Sequence, residues 1–329
     1  MEYILLLDTS IASDNIGDDI IMECTRKELK PILSKNFTRT LPTHVSPFHW
    51  YQVWRKSYAL CSFANCKLKF VGGSNILIPN LLTHYPQWNI NIFNYQPLKG
   101  SILVGVGAGA GAENGSNWYT RYIYKHMLNS EYYHSARDER SKEYMEYLGL
   151  KAINTGCVTM WALTPEFCKS IPTRKADNVV FTLTASYGAD KEKDQYLIDT
   201  LIKHYKNLYF FPQCVGDYEY LHQLKNIEHI HILPASKEAY DEYLTNTDTD
   251  YVGTRLHGGI YAMRHQRRTI IIAIDERARA INEKNNLNCI ERKNIKLLDE
   301  LIESEIETKI TMNFEEIKRW KSQFDEMPK

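Results

Sequence analysis

The sequence predicts an α/β protein of two Rossmann-like, doubly wound domains. Short apolar segments that suit buried strands alternate along the chain with longer segments that suit helices, and this alternation is typical of parallel sheets with helices on both faces. The chain has 329 residues, more than a single hydrophobic core usually serves, so two domains are expected. A connector with prolines and charges, residues 165–176, marks the boundary between them.

The chain begins with a buried strand, YILLLD, followed by a polar loop and a helix over about residues 20–33. Asn15, Gly17 and Asp18 lie in this first strand-to-helix loop. Asp18 can be explained as a helix cap. The loop can equally face a ligand crevice and help to hold an acceptor molecule, because such loops follow the carboxyl ends of strands.

Two further strands of the first half end in glycines, LKFVGG and SILVGVGAGAG, and both follow a helix predicted over residues 48–64 with a strongly aromatic face. Glycines such as Gly73 let a ligand or a neighbouring helix approach the backbone closely. Neither strand carries the glycine spacing of a dinucleotide site, which excludes that class. Arg137 ends a later strand, before a helix that starts near Asp138; it is either part of a solvated helix start or a ligand for an anion.

The second half repeats the pattern. Strands are predicted over residues 179–184, 208–212 and 231–234, helices over 191–205 and 237–245, and Gln213 follows one of the strand ends. A last helix over residues 313–324, capped by Asn313, carries apolar residues at the spacing of one helix face.

The segment DYVGTRLHGGIYAMRHQRRTIIIAID, residues 250–275, carries the strongest signal for a ligand. It predicts a strand, a turn with Thr254, Arg255 and His257, a helix, and a second strand closed by Asp275. A helix amino terminus favours anions, Arg adds a planar fork of donors, and His titrates near neutral pH. Glycines after a strand are also ordinary turn residues, so the pattern by itself leaves a purely structural explanation open.

Composition limits the function further. Lys plus Arg and Asp plus Glu both number 40, so no overall field favours nucleic acid. The seven cysteines lack the spacing of a zinc site, and their odd number with no signal peptide fits a reducing cytoplasm. No apolar run is long enough to span a bilayer. We therefore expect a cytoplasmic protein, with room for peripheral contact at the inner face of the membrane.

These motifs, taken in order, resemble those of the polysaccharide pyruvyl transferase family. The resemblance rests on NIGDD, the two glycine-ended strands, Arg137, Asp138 and Ser141 followed by Leu148 and Gly149, NTGCVTMWAL, and GTRLHGG. It implies two Rossmann-like domains that face a cleft, a GT-B-like architecture. Residues 1–170 would form the acceptor side, residues 171–312 the donor side, and residues 313–329 a helix that packs back on the first domain.

The resemblance also implies a reaction, the transfer of pyruvyl from phosphoenolpyruvate to a sugar of a surface glycan or a lipid-linked precursor, with a pyruvate ketal as product. His257 would supply a proton and Asp18 accept one. Arg137 and Arg255 would clamp phosphoenolpyruvate. The further substrate-binding candidates are Leu256, Asn15, Gly73, Gln213 and Asp275. Neither a metal nor a further cofactor is expected.

Two alternatives stay open: a GT-B-type glycosyltransferase that uses a nucleotide sugar, and a sugar-binding relative without turnover. The sequence does not decide the acceptor sugar, the linkage or the oligomeric state.

Overall fold

A computed structural model describes residues 1–55, 58–83, 87–186 and 188–325 of the chain. The chain divides into two compact units. The first contains residues 1–13, 21–161 and 313–329, and the second contains residues 14–20 and 162–312. Each unit is built around a six-stranded sheet in which all described pairs of strands are parallel.

The first sheet has the strand order β2-β1-β3-β4-β5-β6. Its strands are β1 (Tyr3–Asp8), β2 (Phe37–Pro42), β3 (Leu68–Leu77), β4 (Ser101–Ala108), β5 (His134–Ala136) and β6 (Ala152–Asn154). The helices of this half are α1 (Ile16–Glu28), α2 (Lys30–Leu33), α3 (Trp50–Trp54), α4 (Tyr58–Ala64), α5 (Trp118–Met127) and α6 (Glu139–Tyr147), with 3-10 turns at Gln96–Leu98, Ala112–Asn114 and Val158–Met160.

The second sheet has the order β12-β11-β10-β7-β8-β9. Its strands are β7 (Asn178–Thr182), β8 (Asn207–Phe210), β9 (Ile230–Ile232), β10 (Thr249–Gly253), β11 (Thr269–Ala273) and β12 (Cys289–Glu291). The remaining helices are α7 (Pro165–Cys168), α8 (Lys191–His204), α9 (Val215–Leu221), α10 (Lys237–Asn246), α11 (Leu256–Arg264), α12 (Glu276–Asn285), α13 (Leu298–Glu303) and α14 (Phe314–Ser322), with a 3-10 segment at Arg292–Leu297.

Both sheets are covered on both faces, as the near-continuous apolar strands predict. In β1, Leu5 and Leu7 join one core cluster with helix α5. The opposite face of the same sheet packs on Phe324, two residues after α14, and the rings of Phe70 and Phe324 are 5.3 Å apart. In the second unit, Phe181 of β7 lies in a cluster with α8 and α13. The predicted doubly wound α/β fold with two Rossmann-like domains is therefore confirmed.

Helix α14 packs within the first unit, although it lies near the carboxyl end of the sequence. Asn313 caps it by accepting a hydrogen bond from the Glu316 N–H at 3.2 Å. The buried Trp320 side chain meets Trp161 edge to face with ring centroids 5.6 Å apart, and its Nε1–H donates to the Tyr133 carbonyl at 2.8 Å. Residues 326–329, which the sequence analysis included in this segment, lie outside the described part of the chain.

The elements differ from the prediction at several places. Helix α1 begins at Ile16 instead of near residue 20, and strand β12 and helices α5, α9, α12 and α13 were not predicted. The helix expected over residues 48–64 appears as α3 and α4, and residues 56 and 57 between them lie outside the described residues. Strand β2 was not predicted, because FTRTLP is half polar and pairs only with β1 at the sheet edge. Within the described ranges, no helix combines the length and apolar character needed to span a membrane.

Candidate functional site

The backbone of the turn between β10 and α11 is held in place by hydrogen bonds with side chains of neighbouring strands. Arg255 is the residue at which the chain enters helix α11. Its N–H donates to Thr182 Oγ1 at 3.1 Å, and its carbonyl accepts from the Tyr251 hydroxyl at 2.7 Å. The backbone before α11 is thus fixed by side chains from two neighbouring strands, which orients the first turn of the helix.

The Arg255 side chain forms a buried ion pair with Asp217 of α9. Arg255 Nη2 lies 2.5 Å from Asp217 Oδ1, and Nε lies 3.0 Å from Oδ2. The exposed fractions of the two side chains are 11% and 0%. Asp217 also accepts from the N–H groups of Ala185 at 3.0 Å and Gln213 at 3.2 Å. Both carboxylate oxygens are therefore occupied, and they fix the plane of the guanidinium.

Asp217 and its neighbour Cys214 are site residues that the sequence analysis missed. Arg255 Nη2 also donates to Cys214 Sγ at 3.2 Å. Burial and the Asp217 carboxylate raise the pKa of the Cys214 thiol, although Arg255 acts in the opposite sense. One feature of the sequence could have indicated Asp217. It is an acidic residue in the first turn of a helix that follows a strand, where the free N–H groups of the helix favour a carboxylate.

Gln213 connects the end of β8 to α11 and to the start of α1. Its side chain is 2% exposed, and it packs so closely on Gly258 that a Cβ there would collide with Nε2. Within the described chain, Gln213 Nε2 is buried without a hydrogen-bond partner. The Gln213 carbonyl accepts from the Ile16 N–H at 3.0 Å, which brings the NIGDD segment to this part of the second unit.

The NIGDD segment forms the first turn of α1. Asn15 Oδ1 accepts from the Gly17 N–H at 3.1 Å, and the Asn15 carbonyl accepts from the Asp18 N–H at 2.9 Å. Asp18 is buried. Asn15 thus has a clear structural role in starting the helix, and Asp18 lies in the same unit as Gln213 and Arg255.

Leu256 and His257 occupy the first turn of α11, and both side chains are buried. Asp275 caps α12 by accepting from the Ala278 N–H at 2.8 Å. It follows β11, which pairs with β10. Thus the second unit groups the start of α1, Gln213, Arg255, Leu256 and His257, and places Asp275 after the adjacent strand.

A cavity of about 380 Å³ opens where β8 and β9 end. Among its lining residues, Gln213 and Asp14 bring an amide and a carboxylate to a mostly apolar wall, with Tyr218 and Ile232 on the apolar side. Its volume is in the range of small-molecule sites. The cavity lies at the carboxyl edge of the sheet, where open α/β sheets bind their ligands.

Arg137 and Gly73 belong to the first unit. The buried Arg137 guanidinium lies over Gly107 of β4, where a Cβ would be only 2.6 Å from Nη2. Asn75 Oδ1 lies next to the same point above Gly107, and it is buried without a hydrogen-bond partner among the described atoms. Asn75 is a further residue that the sequence analysis missed, since nothing in the local pattern distinguishes it.

The RDERS motif has a structural role beside any role in binding. Asp138 caps α6 by accepting from Ser141 N at 2.8 Å and from Ser141 Oγ at 2.6 Å, and Ser141 Oγ accepts from the Ala108 N–H at 2.8 Å. Burial opposes ionisation of Asp138, but the charge of Arg137, 3.4 Å away, and the Ser141 bonds lower its pKa. Arg140 is partly exposed but donates to the Ala108 carbonyl at 2.6 Å. The motif ties the end of β4 to α6.

Gly73 is explained by strand packing, because a Cβ at this position would lie 2.7 Å from the Gly105 carbonyl oxygen. The next residue, Ser74, has φ 113°, in the region that favours glycine. The register of β3 against β4 is irregular from Ser74 to Leu77. This end of β3 therefore holds a strained residue next to Asn75, whose Oδ1 has no hydrogen-bond partner in the described part of the chain. Strained residues often mark functional sites.

Among the described residues, no group of three or more His, Cys, Asp or Glu side chains is arranged to hold a metal ion.

Solved structures with a similar fold support the two-domain architecture. MnaA of S. aureus, in a structure with UDP, is 10% identical with a TM-score of 0.52, and the match covers 100% of this chain and 99% of that one. A UDP-GlcNAc 2-epimerase of Methanocaldococcus jannaschii, in complex with UDP-GlcNAc and UDP, is 10% identical with a TM-score of 0.51, covering 98% and 99%. At this identity the likeness concerns the fold alone.

A comparison with curated protein sequences gives no match. The model of the polysaccharide pyruvyl transferase family matches residues 15–276, a range that includes every predicted site residue. The chain belongs to the polysaccharide pyruvyl transferase family.

Proposed function

We propose that the protein transfers pyruvyl from phosphoenolpyruvate to a sugar of a surface glycan or its lipid-linked precursor and forms a pyruvate ketal. Family membership supports the reaction class. The observation that carries the proposal is the first turn of α11, where Arg255, oriented by Asp217, precedes His257 by two residues. This combination offers a cation and a proton donor at a helix start that favours anions.

In the proposed reaction, two sugar hydroxyls add in turn to carbon 2 of phosphoenolpyruvate. His257 gives a proton to carbon 3 of phosphoenolpyruvate, and the resulting cationic carbon 2 is attacked by a sugar hydroxyl. Asp18 accepts the hydroxyl proton. Inorganic phosphate then leaves, and a second hydroxyl of the sugar adds to the same carbon and closes the ketal. The proton of this second hydroxyl goes to the departing phosphate, and the proton that Asp18 accepted restores His257. None of these steps needs a metal or a cofactor, and Arg255 would bind phosphate or carboxylate throughout.

Each remaining candidate has a proposed place in this scheme. Arg137, in the first unit, would bind the other anionic group of phosphoenolpyruvate. Gln213 Nε2 is buried without a hydrogen-bond partner among the described residues, and it would donate to the substrate beside α11. Asn15, Gly73, Leu256 and Asp275 would contribute mainly backbone or supporting contacts, because the structure already assigns local roles or burial to them.

A glycosyltransferase that uses a nucleotide sugar is the second candidate. The cavity beside Gln213 favours it, because the apolar wall with Tyr218, Asp14 and an amide suits a planar base. The two similar structures described above were both solved with UDP. The same cavity could instead hold part of the acceptor in pyruvyl transfer, so ligand binding must separate the two functions.

The test compares thermal unfolding of the protein with phosphoenolpyruvate and with a panel of nucleotide sugars. A ligand that binds only the folded chain raises the Tm. We expect phosphoenolpyruvate to raise it, and phosphate release to require both phosphoenolpyruvate and a sugar with a free pair of hydroxyls. Stabilisation by a nucleotide sugar together with release of its nucleotide would overturn the proposal in favour of the second candidate. Binding of sugars with no release of any product would favour the non-catalytic relative.

A further inference from the structure

Three of the chain's six tryptophans are exposed, and all three belong to the first unit. Their exposed fractions are 63% for Trp50, 77% for Trp54 and 74% for Trp118. Phe93 is 66% exposed. A single exposed apolar side chain needs no explanation, but several large aromatic ones on neighbouring elements mark an interaction surface.

Hydrogen bonds show that the elements carrying these residues are neighbours. The turn with Phe93 is bonded to α5 through the Ile92 N–H and the Tyr119 hydroxyl at 3.0 Å. It is bonded to the segment before α3 through Asn94 Nδ2 and Ser46 Oγ at 2.9 Å. Helix α3, with Trp50 and Trp54, follows that segment directly, and Trp118 begins α5.

Acidic side chains are scarce around these residues; Glu113, which precedes α5, is exposed and pairs with Arg140. Residues 29–112 contain no Asp or Glu, whereas Lys and Arg occur at positions 30, 35, 39, 55, 56, 67, 69 and 99. Helix α5 contains no acidic residue, and its exposed Arg121 and Lys125 lie on the same helical face as Trp118. We use the name aromatic-basic face for Trp50, Trp54, Phe93, Trp118, Arg121 and Lys125.

We infer that the aromatic-basic face docks the protein on an anionic lipid bilayer. Tryptophan is enriched at the level of the lipid headgroups, because its ring is apolar and its N–H is polar. Lys and Arg are attracted to the negative surface potential of anionic lipids. Aromatic and basic side chains on one face are the combination that holds peripheral proteins at this interface.

Two other occupants fit the face less well. A second copy of the chain would bring equal positive charges together, which is unfavourable. A soluble glycan would stack on the aromatic rings, but it also needs acceptors for its many hydroxyls, and residues 29–112 provide no carboxylate. The inference stands on the first unit alone and does not depend on the proposed pyruvyl transfer.

The test is co-sedimentation of the full chain with vesicles of phosphatidylcholine, with or without phosphatidylglycerol. We expect binding to the vesicles with phosphatidylglycerol, weakened by salt because exposed charges are screened. Replacing both basic residues, Arg121→Glu with Lys125→Glu, should reduce the partition coefficient about tenfold or more, given roughly 1 kcal/mol for each charge near the surface. Replacing all three tryptophans by Ser should reduce it by a similar factor, including at high salt.

Leu297→Ser and Lys225→Glu are matched controls, because both residues are exposed and belong to the second unit. They should bind as the wild type does. Should a tryptophan variant fold poorly, quenching of the wild-type tryptophan fluorescence by brominated lipids tests the same contact. The inference is overturned if the wild type does not bind anionic vesicles, if its fluorescence is not quenched, or if the folded face variants bind undiminished. It is equally overturned if light scattering shows a dimer that these tryptophans hold together, or if a soluble glycan occupies the face without vesicles.

Discussion

The change Asp217→Asn tests whether the buried carboxylate holds Arg255 at the candidate site. Four N–H donors share its two oxygens, those of Arg255 Nη2 and Nε, Ala185 and Gln213, at 2.5, 3.0, 3.0 and 3.2 Å. Each carboxylate oxygen of Asp217 accepts two of these donors. In Asp217→Asn an amide NH₂ replaces one of the oxygens, and because it cannot accept a hydrogen bond it leaves the two donors that face it without a partner. Arg255, whose side chain is only 11% exposed, also loses its counter-charge. Removing one partner of a buried ion pair typically costs about 3–5 kcal/mol.

The assay is urea denaturation of the full chain, followed through the transition that includes the second unit. We expect the unfolding free energy of Asp217→Asn to fall by about 3–5 kcal/mol. The control is Asp177→Asn, which breaks an exposed pair with Lys206 at 2.7 Å in the same unit and should cost at most about 1 kcal/mol. A loss for Asp217→Asn no larger than the control's would refute the assignment of this pair as the element that fixes Arg255.

Three further outcomes are expected. His257→Gln should keep phosphoenolpyruvate affinity within a few-fold, while turnover falls roughly 10²-fold, the usual scale for a lost general acid; equal losses in both would indicate a simple binding role. Ser74→Gly should raise the unfolding free energy by about 1 kcal/mol, because Ser74 has φ 113°, and a destabilised variant would contradict the strain. Burial opposes ionisation of Asp138, but the charge of Arg137 and the hydrogen bonds from Ser141 outweigh burial and lower the pKa of Asp138 in the folded chain. Its stabilising effect is complete above the pKa of the unfolded chain and is lost as the pH falls through the folded pKa. Asp138→Asn should therefore have a lower Tm than the wild type at neutral pH, and the difference in Tm should become smaller in acid. A difference in Tm that stays constant with pH would disprove this.

The sequence predicted the fold well where local pattern and burial agree. The apolar runs of β1, β10 and β11 are buried on both faces of a sheet, so their composition alone identifies them. The turn before α11 was recognised because Gly, Arg and His stand between two such strands. Strand β2 was missed because an edge strand needs little apolar sequence.

The site residues that were missed depend on contacts between distant segments. Asp217 pairs with Arg255 across 38 positions of the chain, and nothing near Asp217 in sequence indicates that partner. Asn75 is notable only because Gly107 and Arg137 lie next to it in space. The aromatic residues around α3 were assigned to a helix face, but a pattern cannot tell whether such a face meets the core or the solvent.

The central claim is that carbon 3 of phosphoenolpyruvate gains a proton while carbon 2 is transferred to a sugar. The direct measurement is a reaction in D₂O with phosphoenolpyruvate and a panel of glycosides that carry a free pair of hydroxyls, analysed by NMR and mass spectrometry. The account predicts inorganic phosphate and a sugar that has gained pyruvate less one water, with one deuteron in the new methyl group. In His257→Gln this product should form roughly 10²-fold more slowly. Sugar transfer from a nucleotide sugar, with phosphoenolpyruvate left unchanged, would contradict it.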